Sequence, residues 1–301
     1  AVLALSTGVM VLLVFNAADY DIWARLAHGA SLVQRGRFIQ EDMFAFTPVL
    51  SEYVDHEWGF GLISFAILQL WGDAGLLLLK AATGLGTIVI ACCAGRRQGT
   101  RTESLLFLAV FACAALVPAF MPVVRSHVFT YLFFSLALYL LETIRLKRVL
   151  WPSFVYAAVI IIWMNIHGGV AAGLGIGAVY ICLSLFFYRH LTQQLCLTVG
   201  AAFLGTLINP YGLTMWNVLL KALTLNREFI TEWRALPLWG YDHFIGFRVL
   251  LILTGVCLIG GWGRVKEKPV PVTGITVLTL TAFLGFRHMR HTAFFAISAL
   301  V

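Results

Sequence analysis

Apolar runs recur along the whole length of the chain, separated by polar loops. In hydrocarbon no water satisfies backbone N–H and C=O groups, so an immersed chain must fold as helices or as a closed barrel. A helix needs about 20 residues to cross, a strand only about ten, and runs of this length suit helices. The expected spans are Ala1–Phe15, Ala74–Ala94, residues 104–121, 128–144, 150–164, 169–188, 194–208, 244–263 and 270–286, and a last one from His291 onward. The fold class is therefore all-α: a polytopic helical membrane protein of about ten transmembrane helices, with residues 1–301 as a single transmembrane domain. Composition agrees, with 60% hydrophobic residues, 12% charged and a mean hydropathy of +0.90, against about 25% charged in soluble domains. No internal repeat of solenoid period is visible. Ala1 opens without a methionine and Val301 falls inside an apolar run, the pattern expected of a chain shortened at both ends.

Charge then orients the spans. Arg96, Arg97, Arg101, Arg145, Lys147, Arg148, Arg189, Arg264, Lys266 and Lys268 fall in one set of loops. Asp19, Asp21, Glu41, Asp42, Glu52, Asp55, Glu57, Asp73, Glu228, Glu232 and Asp242 fall in the other. Basic loops stay cytoplasmic, so the acidic set is expected outside, in an integral plasma (inner) membrane. This segregation requires Glu57–Trp71, too short to span, to lie flat. The formal charge of +7 is thus a topology signal, and nucleic acid is excluded as a partner. The six cysteines, Cys92, Cys93, Cys113, Cys182, Cys196 and Cys257, sit in apolar runs with no CxxC pair; they read as reduced, small apolar fillers rather than a disulfide framework or a zinc site.

The chemistry concentrates in the first external loop, residues 16–73. The stretch from Asp19 to Trp58 holds seven of the fourteen acidic residues. Ile22, Trp23, Leu26, Ala27, Ala30 and Val33 recur at helical spacing while Arg25, His28, Ser31, Gln34 and Arg35 fill the other face. That pattern predicts an amphipathic helix in the interface, with Asp21 as its N-cap. A second juxtamembrane helix is expected over Glu57–Trp71. Carboxylates at the depth of Asp19 and Asp21 are costly and are functional candidates by default.

Cations gather on the same side. MPVVRSH brings Arg125 and His127; WMNIHGG brings Asn165 and His167; FRHMRH brings Arg287 and Arg290; and the loop 226–243, NREFITEWRALPLWGYDH, is a second external segment rich in Trp and charge. A carboxylate can take a proton from a hydroxyl nucleophile, and guanidinium groups hold a phosphate leaving group and the charge that develops on it. Each residue also has a plain structural reading: Asp21 as a cap, Arg125 or Arg287 as interfacial anchors, His167 as an interhelical hydrogen bonder.

The pattern D-x-D-x-W, then Gly36, D-x-F-x-x-T and DHEW, with R-x-H, W-x-N-x-HGG and NPYG downstream, resembles the GT-C glycosyltransferases, which include aminoarabinose transferases and protein O-mannosyltransferases. In that family an aspartate after the first span opens a helix ending at a glycine, here Asp21 and Gly36. A short motif, here His56, Glu57 and Trp58, opens the second juxtamembrane helix, and LWGDAG at Leu70–Gly75 resembles the turn before the next span. Ile22 stands where the mannosyltransferases carry Glu. The resemblance implies a polyprenyl-phosphate-linked sugar as donor, an acceptor not specified by the motifs, and Asp21 as general base with Asp19 beside it. Arg125, Arg287, Arg290, His127 and His167 would hold the donor phosphate, supported by Asn165, His56 and Glu57. In the oligosaccharyltransferases of the same superfamily, loop aspartates hold a divalent metal; by that resemblance Asp19 and Asp21 could hold magnesium or manganese. Two other functions remain open: a transporter or flippase for an anionic lipid-linked substrate, and a non-catalytic subunit of a larger membrane complex. Lys80 is the main charge inside the apolar spans, and GLGIG at Gly173–Gly177 would suit a broken or closely packed helix.

Overall fold

The computed structural model describes residues 20–42, 46, 53–120, 124–225, 227, 229–240, 243–265 and 272–301. The expected first span Ala1–Phe15 and the candidate Asp19 lie outside the described residues. Eleven α-helices make up the rest: α1 Tyr20–Arg35, α2 Trp58–Arg97, α3 Thr102–Phe120, α4 His127–Lys147, α5 Trp151–Ile166, α6 Val170–Phe187, α7 Thr192–Gly205, α8 Leu213–Thr224, α9 Ile245–Val265, α10 Val272–Arg287 and α11 Thr292–Ser298. Single 3-10 turns at Arg189–Leu191, Thr231–Trp233 and Met289–His291 join some of them. Among the described residues there is no strand.

Among the described residues, four helices are long and apolar enough to cross a membrane: α2, α3, α4 and α6. Trp151–Ile166, Ile245–Gly261 and Val272–Arg287 are apolar but shorter. Among the described residues the apolar runs therefore do become helices where the sequence places them, and length and composition together single out four of these as candidate spans. One helix, α8, falls where no span or helix was expected.

The core forms around α4. Its apolar window is 78% buried, against 39–44% for the other three long helices, so α4 is the one enclosed by its neighbours and they keep a face toward the surroundings. Those outer faces carry Phe154, Phe186, Leu204, Ile259 and Phe283 in exposed positions, which suits contact with lipid rather than water. Away from the candidate site, Arg145 clasps buried Glu142 with Nε at 3.0 Å and Nη2 at 2.6 Å, and Tyr180 donates to Glu142 Oε1 at 2.5 Å. This pair, hydrogen-bonded as a buried charge must be, ties α4 to α6.

The 40-residue α2 is two helical arms meeting at Gly72, whose φ of 62° and ψ of −158° break the helical path. Side chains resist positive φ, so glycine is what LWGDAG needs there. The first arm, Trp58–Trp71, packs on α1 at backbone contact. A Cβ at Gly61 would fall 2.7 Å from the Arg25 carbonyl oxygen, and one at Gly29 would run into the Gly61 carbonyl. Small residues permit such close crossings.

α1 is amphipathic as expected, but its faces are assigned differently. Ile22 and Leu26 are buried together with His28 and Ser31, while Trp23 and Val33 are exposed. Contact with α2 decides the inward face, so polar residues on that side are drawn in. Asp21 lies within the first turn rather than capping it, because the helix already begins at Tyr20. The carboxylate still sits near the positive end of the helix dipole. The helix ends where Gly36, at φ 64°, donates its N–H to the Leu32 carbonyl at 2.9 Å.

Candidate functional site

Between the start of α1, the start of α2, the starts of α4 and α6, one face of α8 and the two turns before α9 and α11 lies a cavity of about 360 Å³. Asp21, His56, Glu57, Arg125, His127, His167 and Arg290 all line it. The chain thus brings together, from segments far apart in sequence, most of the residues the motifs single out.

Two do not join them. Arg287 is exposed in the last turn of α10 and lies outside the lining. Helix α10 stops at Arg287, and His288 takes an extended conformation (φ −147°, ψ 124°) before the next turn; the chain changes direction there, and only Arg290 enters the cavity. Asn165 also stays out of the lining and acts as a brace. It accepts from Trp58 Nε1 at 3.1 Å and donates to the Ile161 and Ile208 carbonyls at 2.8 and 2.9 Å. These bonds hold the first turn of α2 to α5 and to the NPYG turn.

The acidic side is built in layers. Arg25, one turn beyond Asp21, donates from Nη1 to Asp55 Oδ1 at 2.5 Å and approaches Glu57 Oε2 with Nε at 3.1 Å. His28 Nδ1 lies 3.2 Å from the other Asp55 oxygen. Burial alone would raise the Asp55 carboxyl, which is 2% exposed, but the His28 hydrogen bond and the Arg25 charge outweigh it and hold it below the usual carboxylate range. Asp55 thereby fixes Arg25, and Arg25 fixes Glu57.

Glu57 is the N-cap residue of α2, but its side chain makes no capping bond; its carboxylate turns into the cavity. Ser126 donates to Oε1 at 2.6 Å, His167 Nε2 stands 3.5 Å from the same oxygen, and His56 Nε2 is 3.9 Å away. The His167 tautomer follows from its other nitrogen. Nδ1 accepts the Gly169 N–H at 2.9 Å and the Thr130 hydroxyl at 2.7 Å, while Thr130 in turn accepts from Trp163 Nε1 at 3.0 Å. The proton is therefore on Nε2, aimed at Glu57. Burial, with Arg290, His56 and Arg25 nearby, holds His167 neutral well below its ordinary value. His127 is used differently: its Nε2–H donates to the Ala119 carbonyl at 2.7 Å, which pins the end of α3 to the start of α4.

The cationic side faces Asp21. Arg125 Nη2 is 3.2 Å from Asp21 Oδ2, and its Nη1 is 3.6 Å from Glu232 Oε2. Arg290 Nη1 is 3.1 Å from the other Glu232 oxygen. Trp233 carries Arg227 and Arg290 over its ring, at 4.3 and 4.7 Å. Asp21, with a side chain 64% exposed against 14% for Glu57, is the more open of the two carboxylates. Arg25, Ser126, Thr130, Arg227, Glu232 and Trp233 are the participants the motifs left unassigned. Arg25 was legible as the residue one helical turn from Asp21. Arg227 and Glu232 sit in a loop, where no periodicity indicates which residues point inward.

Guanidinium groups on the wall come from Arg25, Arg125, Arg227 and Arg290, and carboxylates from Asp21, Glu57 and Glu232. Ile22, Phe60, Ala172, Leu219, Leu223 and Phe294 supply an apolar side. A ligand with an anionic head and a hydrocarbon part matches both. As for a divalent cation, no group of three or more His, Cys, Asp or Glu is placed to hold one among the described residues. Asp21 faces a guanidinium, a poor neighbour for a metal, and the geometry of its pairing with Asp19 lies outside the described residues. No protein-family model matches this chain, and neither a curated protein nor a solved structure matches it.

Proposed function

We propose that the chain is an integral membrane glycosyltransferase of the GT-C type, moving a sugar from a polyprenyl-phosphate donor to an acceptor hydroxyl with inversion at the sugar carbon. The observation that carries this reading is one cavity in which an open carboxylate, Asp21, pairs with Arg125 and shares the wall with Arg290 and a set of apolar side chains. In the reaction Asp21 takes the proton of the acceptor hydroxyl. The oxygen forms its bond to the anomeric carbon as the bond from that carbon to the phosphate oxygen breaks. The departing phosphate keeps the electron pair, and Arg125 and Arg290 stabilise its charge. Glu57, held by Ser126, Arg25 and His167, suits orientation of the sugar hydroxyls. The topology proposed with this function has about ten spans, the basic loops in the cytoplasm and the cavity opening to the periplasm or exterior of a plasma (inner) membrane.

Asp21→Asn tests the base. It keeps shape and helix placement but cannot accept the proton, a contribution worth about a hundred- to ten-thousand-fold in rate. Normal insertion with transfer reduced at least a hundredfold is expected; wild-type transfer would remove Asp21 from the role. A transporter for the same anionic lipid is the second reading. It is favoured by Lys80, fully buried within the candidate span Trp58–Arg97, where an ionisable group is costly and usually functional. It predicts movement of ligand across the membrane with the sugar–phosphate bond intact.

A further inference from the structure

Glu232 sits between two cations that a ligand would also need. Its Oε1 faces Arg290 Nη1 at 3.1 Å and its Oε2 faces Arg125 Nη1 at 3.6 Å. Glu232 thus bridges two guanidinium groups, hydrogen-bonded to Arg290 and ion-paired with Arg125, and guanidinium groups are equally suited to a phosphate. Nearby, burial and the charge of Arg290 lower Arg227 from its ordinary value while Glu232 counters them. Cations crowd this corner, and an anion relieves the crowding.

The backbone that carries Glu232 is fixed independently of its carboxylate. The Leu236 N–H donates to the Phe286 carbonyl at 2.8 Å, and the Met289 N–H donates to the Arg234 carbonyl at 3.0 Å. His288 Nδ1–H donates to the Trp233 carbonyl at 2.6 Å, and the Trp233 ring packs edge-on against His288 and His291. The Glu232 side chain, by contrast, is 38% exposed and has three rotatable bonds. It can leave the guanidinium groups by a rotamer change, with no movement of the loop.

We propose that the Glu232 carboxylate is an internal stand-in for the ligand's phosphate group, which binds by displacing Glu232 from Arg125 and Arg290 while the loop stays docked. The proposal rests on the glycosyltransferase reading only in taking the ligand to bear a phosphate. Its consequence is selectivity: the seat is closed by the protein's own anion, so apparent affinity is reduced by the fraction of molecules in which the seat is open. Weakly held anions do not open it; a phosphate, with more charge and more acceptor oxygens than a carboxylate, does. A different role for Glu232, holding the two arginines in place for the ligand, makes the opposite prediction when its charge is removed.

Binding separates the two. Inorganic phosphate and geranyl phosphate are titrated calorimetrically into the purified full chain in lipid nanodiscs, for the wild type, Glu232→Gln and Glu232→Asp. Glu232→Gln is expected to bind geranyl phosphate about tenfold more tightly than the wild type, the factor recovered when a seat closed nine times in ten becomes open. Glu232→Asp, too short to span both guanidinium groups, should shift in the same direction by less. Adding Arg290→Gln to Glu232→Gln should abolish the gain. Tighter binding of geranyl phosphate than of inorganic phosphate assigns the seat to a lipid headgroup; equal binding assigns it to free phosphate. Unchanged or weaker binding by Glu232→Gln, or no phosphate binding by any of the proteins, overturns the proposal. None of these measurements requires sugar transfer. Tightening without detectable transfer would therefore retain the exchange and remove the glycosyltransferase reading, while transfer without tightening would do the reverse.

Discussion

His167 shows how a single residue reports on the whole cavity. Its Nδ1 is committed to the Gly169 N–H and the Thr130 hydroxyl, and burial beside Arg290, His56 and Arg25 resists a second proton. A histidine depressed in this way affects stability only below its ordinary value of about 6.5. Above that, folded and unfolded chains are both neutral at this group. Below it, the unfolded chain takes up a proton that the folded chain refuses, so stability falls with falling pH. The thermal unfolding midpoint in detergent should therefore decline as pH drops below about 6.5, and His167→Gln should decline less steeply over the same range. Equal slopes would show that the acid sensitivity lies elsewhere. Asp55, also depressed, loses its contribution only as pH falls below about 3.9, so it adds nothing to the decline between about 6.5 and 3.9.

At the scale of elements, the contact between α1 and the first arm of α2 sets the acidic half of the site. Arg25 carries the carbonyl that Gly61 approaches and also holds Asp55 and Glu57. Gly61→Ala places a methyl 2.7 Å from that backbone oxygen, and neither partner is a flexible side chain that can yield. Separation of the helices should cost about 1–3 kcal/mol, as overpacking generally does, and should loosen the Arg25 clamp with it. Gly175→Ala in α6 is the matched control. Nothing lies within 4 Å of its added methyl, and Ala favours a helix over Gly by about 0.5–1 kcal/mol. Chemical or thermal unfolding should place the two variants on opposite sides of the wild type. If Gly61→Ala is as stable as Gly175→Ala, the close crossing is not a constraint.

For the whole molecule the testable property is sidedness. The break at Gly72 divides Trp58–Trp71 from the rest of α2, and the first arm lies against α1 rather than continuing the line of the second. In the proposed topology that arm does not cross, which puts the acidic loop and the basic loop Arg96–Arg101 on opposite sides of the membrane. In a background lacking the native cysteines, Glu41→Cys should react with an impermeant maleimide added to intact cells, and Gln98→Cys should react only after the membrane is opened. The reverse pattern would mean that the Trp58–Trp71 arm crosses.

Most of the described helices were legible in the sequence because hydrophobicity and helical periodicity are local: a run such as 128–144 must satisfy its backbone within itself whatever packs around it, and the structure places a helix at His127–Lys147. Asp21, Arg125, His167 and Arg290 were legible for a related reason, since each is a polar residue at the edge of an apolar run, where few other polar groups are available. The fate of Arg287 was not legible. It stands three residues before Arg290, a spacing that would put both on one face of a continuous helix, and only the end of α10 separates them. The same holds for Arg227 and Glu232, whose loop has no period, and for His28 and Ser31, polar residues buried because α2 packs on their side of α1. Among the described residues, sequence by itself determined where most of the helices lie, α8 excepted, and which ionisable groups stood at their ends. Only tertiary structure decided which of them face one another, because that depends on where helices stop and cross, and those are set by contacts between segments far apart in the chain.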